Sequence, residues 1–114
     1  MLGYLPNKNK EMKNLSVNEW KEAAESDSEA VILDVRSPGE CMEGIVEGAL
    51  QMNIMDTAAF ISGLEKLDKS KNYYVYCRSG NRSGQACMLM ETKGLNAINM
   101  AGGMMAWPFE TVTP

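Results

Sequence analysis

The chain has 114 residues, a formal charge of -4, an apolar fraction of 45% and a charged fraction of 23%. These are the values of one globular domain, and with no basic face or tail they argue against a nucleic-acid partner. No run of about 18 apolar residues is available to span a membrane, and the absence of histidine removes Cys–His and Ser–His nucleophile pairs and most zinc chemistry.

Residues 1–12 read as a loose leader, polar and without the apolar core of a secretion signal. A cytoplasmic location and a single domain over 13–114 are therefore expected. Ser16, with Glu19 three residues later, makes a capping-box pattern for a helix that turns Trp20, Ala23 and Ala24 inward. AVILDV, Ala30 to Val35, is a continuous apolar run and predicts a strand buried on both faces. RSPGE interrupts it, with Pro38 suited to a first helical position.

GIVEGALQMNI carries two glycines and predicts a turn leading into a short strand. DTAAFISGLEKL sets Phe60, Ile61, Leu64 and Leu67 on one helical stripe, with Asp56 or Thr57 as its cap. NYYVYC is a second buried strand ending at Cys77, and SGQACMLMETKG a helix stopped at Gly94. NAINM is a third strand. AGGMMAW is a double-glycine turn and a helical turn, ended by Pro108. Strands alternating with helices imply an α/β domain with a parallel central sheet, right-handed crossovers and helices on both faces.

Ligands in such sheets sit at the carboxyl ends of the strands, where Asp34 and Cys77 fall. Cys77 opens the stretch CRSGNRSG between a strand and a helix. Residues Arg78, Ser79, Gly80, Asn81, Arg82 and Ser83 can curl so that their N–H groups converge. Gly80 and Gly84 ease that curl, the helix N-terminus adds partial positive charge, and the two arginines add whole charges. A thiol so placed is expected to ionise well below its usual value of roughly 8.5. It then needs no base, which answers the missing histidine.

Such a thiolate suits attack on sulfane sulfur, with sulfite as an anionic leaving group. A persulfide would form on Cys77, and a thiol or cyanide would then take the sulfur away in ping-pong fashion. The plainer alternative makes Cys77 a small apolar filler, the arginines solvated or ion-paired, and Ser79, Asn81 and Ser83 ordinary turn and cap residues. No metal or other cofactor is expected. The expected partners are a small anionic sulfur donor and a thiol or cyanide acceptor, a protein thiol included, with no nucleic acid and no membrane.

The pieces VILDVRSPGE, GIVEGAL, YVYCRSGNRSGQA and KGLNAINMAGGMMAW together resemble the single-domain rhodanese-like sulfurtransferases. The likeness runs from about Ser16 to Trp107. It implies a three-layer α/β sandwich around a five-stranded parallel sheet. It implies Cys77 as the persulfide carrier, cradled by the amides of Arg78 through Ser83, with Asp34 and Arg36 close to the loop in support. For Asp34 a structural hydrogen bond, and for Arg36 an ion pair, is the simpler role.

Four residues separate Cys77 from Arg82, whereas the related dual-specificity phosphatases and arsenate reductases carry one more. The shorter ring favours sulfur chemistry over an anion-ester hydrolase. A non-catalytic docking or regulatory module of the same fold is the other alternative, and the intact CRSGNRS argues against it. The chain departs from the family in having Ile45 where histidine is common and Cys41 where an aromatic is common. Met100, Met104 and Met105 are placed either at the pocket mouth or as flexible core filler, and Cys87 is expected in the core.

Overall fold

The structure, a computed structural model, describes residues 13–114; the expected leader over 1–12 lies outside the described residues. Five parallel strands form one sheet in the order β1-β5-β4-β2-β3. They are β1 Lys13–Leu15, β2 Ala30–Asp34, β3 Leu50–Gln51, β4 Asn72–Tyr76 and β5 Asn96–Met100. The helices are α1 Val17–Glu25, α2 Pro38–Cys41, α3 Thr57–Leu64 and α4 Asn81–Thr92, followed by a 3-10 turn at Gly103–Ala106.

Each terminus follows from local chemistry. Ser16 and Glu19 form the reciprocal capping box that starts α1. Pro38 opens α2, where a second box joins Ser37 to Glu40. Asp56 stands at the N-cap of α3 but makes no side-chain cap bond, and the Thr57 hydroxyl donates back to the Ile54 carbonyl. α4 begins at Asn81, two residues before the position expected, because Gly80 takes a left-handed φ of 102° that turns the chain into the helix. Gly94, also left-handed, follows its end.

Side chains alternate across the sheet with period two. Tyr73, Val75 and Cys77 face one layer with Leu33 and Ala97, against Phe60 and Leu64 of α3 and Ala86, Cys87 and Met90 of α4. Tyr74, Tyr76, Ile98 and Met100 face the other layer, against Val17, Trp20 and Ala24 of α1 and the half-buried Met104 and Trp107. This is the expected three-layer sandwich.

The strand at Ala30–Asp34 differs from a strand buried on both faces. Ala30, Val31 and Ile32 are only half-buried, and burial is complete from Leu33 onward. β1 was not predicted from the residue pattern: three residues bonded only to β5 are too short to show a period. Met100 lies in the core with no exposure, the filler role of the two expected for it. Cys87 is buried as expected.

Trp20 organises the second layer. Its ring stands edge-on to Tyr74, Tyr76 and Trp107 at centroid distances of 6.0, 5.9 and 6.0 Å, and its Nε1 donates to the Ile98 carbonyl at 3.2 Å. The side chain is fully buried. Trp20→Ala is expected to cost about 3–5 kcal/mol, read as a lowered midpoint in urea unfolding.

Candidate active site

β4 is the central strand, flanked by β5 and β2, so its carboxyl end is walled on both sides. Cys77 is the next residue, and the chain curls from it into α4. The Cys77 Sγ accepts the Gly80 N–H at 3.0 Å and the Ser83 hydroxyl at 3.3 Å. Burial pushes this thiol up. The Ser83 hydroxyl and the Ser83, Gly80 and Ser79 backbone N–H groups outweigh it, and the thiol is held below its ordinary value.

The curl is fixed from outside. The Cys77 carbonyl accepts the Met104 N–H and the Arg78 carbonyl accepts the Met105 N–H, each at 3.0 Å. A trans peptide points its N–H opposite its C=O, so anchoring the Arg78 carbonyl outward turns the Ser79 N–H toward the sulfur. Asn99, almost fully buried, donates from Nδ2 to the Gly80 carbonyl at 3.2 Å.

Gly103 makes this approach possible. It has a φ of 60°, and a Cβ there would stand 2.4 Å from the Arg78 oxygen and 2.7 Å from the Cys77 oxygen. A side chain at Gly80 would likewise press on the Gly102 nitrogen and the Met100 oxygen, both at 3.3 Å.

The cradle residues do not act alike. Gly80, Ser83 and Ser79 address the sulfur. The Asn81 N–H is turned to the Ser79 hydroxyl at 3.4 Å, and its side chain is exposed. Arg78 is exposed beside the loop. Arg82 forks onto Glu40 at 2.8 and 2.7 Å, and its Nη1 lies 3.7 Å from the Met55 sulfur. Its charge is thereby matched by a carboxylate. The same pair raises the Arg82 pKa and lowers that of Glu40 to about 2.

Asp34 and Arg36 meet each other rather than the loop amides. Arg36 Nε reaches both carboxylate oxygens at 3.0 and 3.1 Å, Nη2 reaches Oδ2 at 2.7 Å, and the Arg36 N–H donates to Oδ1 at 3.0 Å. Nη2 also donates to the Gly44 carbonyl at 2.7 Å. Burial disfavours the guanidinium charge, but the hydrogen bonds and charge of Asp34 overcome it and raise its pKa. Asp34 pairs in register with Tyr76, one residue before the thiol, and the Arg36 guanidinium lies 5.5 Å from the Tyr76 ring centroid. The pair thus braces the strand end beneath the loop.

The other thiols are of a different kind. Cys41 and Cys87 are buried and free; burial pushes them up, to about 11 and about 12. Ile45 is buried and exchanges two backbone bonds with Val112, at 2.9 and 2.8 Å. Met105 is exposed next to the loop and Met104 half-buried. Sequence reasoning passed over Glu40 and Gly103. Glu40 was readable as the second half of an S-x-x-E box beginning at Ser37; Gly103 had a weaker signal, a doubled glycine after a strand.

The α/β domain thus holds one thiol, lowered by a ring of hydrogen-bond donors, at the carboxyl end of its central strand. The rhodanese-like domain profile matches residues 16–109. The chain is 39% identical over 101 residues to YtwF of Bacillus subtilis, covering 89% of this chain and 95% of that one. It is 36% identical over 84 residues to a sulfurtransferase of Allochromatium vinosum, covering 72% of this chain and 76% of that one. It superposes on the crystal structure of a rhodanese-like domain protein from Staphylococcus aureus with a TM-score of 0.75 at 32% identity, covering 87% and 94% of the two chains. The chain belongs to the rhodanese-like domain family, and the relatives just named include a sulfurtransferase.

Two outcomes test the cradle. Ser83→Ala removes an O–H donor that favours the thiolate, so the pH midpoint of Cys77 alkylation is expected to move upward and the thiolate fraction at neutral pH to fall. Gly103→Ala forces the loop backbone aside. Its alkylation rate at fixed pH is expected to drop by up to about a hundredfold, the scale of effect of a ~1 Å misplacement.

Proposed function

We propose that this chain is a sulfurtransferase that carries sulfane sulfur on Cys77 as a persulfide. The observation that carries this reading is the pair of bonds received by the Cys77 sulfur, from the Gly80 N–H and the Ser83 hydroxyl. A group held this way is an anion receptor already facing the place where negative charge must sit.

The Cys77 thiolate attacks the outer sulfur of thiosulfate or of a persulfide. The new S–S bond forms as the donor's own S–S bond breaks, and sulfite or a thiolate leaves with the electron pair. The amides that held the thiolate then hold the charge on the outer persulfide sulfur. A thiolate or cyanide acceptor attacks that outer sulfur, and Cys77 leaves as the restored thiolate. Charge and atoms balance at each step without a cofactor or an outside reductant.

The roles of the remaining residues follow from their placement. Ser79, Gly80 and Ser83 hold the anion; Asn81 shapes the turn; Arg78 is exposed at the rim, where its charge offsets that of the thiolate. Asp34 and Arg36 support the strand end. No described helix is long and apolar enough to cross a membrane, and three free thiols suit a reducing cytoplasm.

Incubation with thiosulfate, and separately with an alkyl persulfide, is expected to add one sulfur atom to the intact mass of the chain. Cys77→Ser is expected to abolish the gain, while Cys41→Ser retains it. A wild-type mass unchanged by both donors would contradict the reading.

A further inference from the structure

Among the described residues, Glu40 is the carboxylate that reaches the thiol loop. The capping box of α2 fixes it: Oε1 accepts the Ser37 N–H at 3.1 Å and the Ser37 hydroxyl at 2.9 Å. From that fixed position it takes both arms of the Arg82 guanidinium at 2.8 and 2.7 Å. Arg82 immediately precedes Ser83, the hydroxyl donor to the thiolate. Both side chains are largely covered, at 27% exposure for Arg82 and 23% for Glu40, so water screens the pair only in part.

The charges around the mouth therefore cancel. The Cys77 thiolate and Glu40 are negative; Arg78 and Arg82 are positive. Arg36 adds nothing, being matched by buried Asp34. Beside Arg82 lies an apolar groove of about 500 Å³ lined by Ile54, Met55, Gln85, Met88 and Leu89. Met55 and Met88 stand 67% and 59% exposed along it, flexible thioethers suited to varied carbon groups.

Resting on the sulfurtransferase reading above, we propose that Glu40 is a specificity-determining residue. By neutralising Arg82, it steers the site away from thiosulfate and toward organic persulfides. Thiosulfate must bring two negative charges beside the Glu40 carboxylate. An organic persulfide reacts as the uncharged RS–SH form: Cys77 bonds to the outer sulfur, the thiolate RS⁻ leaves with the electron pair, and the proton stays on the transferred sulfur. Its carbon body meets the methionine-lined groove.

The test uses Glu40→Gln, which removes the charge yet keeps the capping box, because glutamine serves at that position as glutamate does. Loading of Cys77 is followed by mass against time with thiosulfate and with tert-butyl persulfide. The kcat/KM for thiosulfate is expected to rise about tenfold, chiefly through KM, as removal of a nearby like charge implies. The alkyl persulfide is expected to change by less than about threefold, within the context scatter of a single polar contact. Glu40→Asp, which keeps the charge, is expected to keep the wild-type donor ratio. Equal changes for both donors in Glu40→Gln, or none, would overturn the inference while leaving sulfur transfer intact; a wild type loaded by neither donor overturns both. Should Glu40→Gln fail to fold, ionic strength supplies the reading on the wild type. Thiosulfate loading that is nearly flat with salt supports a neutralised Arg82, and a steep fall with salt overturns it.

Discussion

The site depends on two carbonyl groups being held outward. The Met104 and Met105 amides, at the start of the 3-10 turn, hold the oxygens of Cys77 and Arg78 at 3.0 Å. A peptide unit is rigid and planar, so fixing its oxygen fixes its N–H on the opposite side. The same anchoring that binds the C-terminal turn to the sheet therefore aims a donor at the sulfur. This explains why the turn is built on glycine: at Gly103 a methyl group would overlap both anchored oxygens. Two segments some 25 residues apart thus form one object, a relation that loop closure makes costly only once.

A charged group inside a protein is costly unless something replaces its water. At Cys77 the replacement is made by neutral dipoles, because the arginines expected to supply it are engaged elsewhere or exposed. Arg82 faces Glu40, Arg36 faces Asp34, and Arg78 is exposed at the rim. Short hydrogen bonds to the thiolate act at about 3 Å and pre-exist the reaction. A guanidinium paired with a carboxylate offers a distant ion little more than a dipole. The thiol is lowered in spite of its burial, whereas Cys41 and Cys87, with burial and no donors, are raised to about 11 and about 12. Three cysteines in one small domain are thereby divided, without a histidine, into one thiol held low by hydrogen-bond donors and two pushed up by burial.

How much of this could be read from residues alone varied with range in the sequence. The apolar runs of β2, β4 and β5, the two glycine-opened turns and the capping box of α1 are local, and their chemistry showed in order. The thiol loop was legible because its signal, a cysteine, glycines and hydroxyls between strand and helix, lies within eight residues. β1 was hidden: three residues gain strand character only from pairing with β5, some 85 residues away. The partner of Arg82 was hidden for the same reason, since Glu40 precedes it by 42 positions. Met100 left two readings open, mouth residue beside the double glycine or core filler, and strand alternation turns it into the Trp20 layer. Charge within a motif shows which groups are present; only the fold shows which of them are already matched.

In the proposed sulfur-carrying role, the burial of Cys77 sets one more condition on how sulfur moves. Cys77 has no measurable exposure, so an incoming donor must thread its terminal sulfur into the ring before a bond forms. That favours donors ending in a single unsubstituted sulfur and disfavours bulky disulfides, whose sulfurs are both capped by carbon. The same burial shields the resting thiolate from adventitious oxidants, which need the same access as a donor.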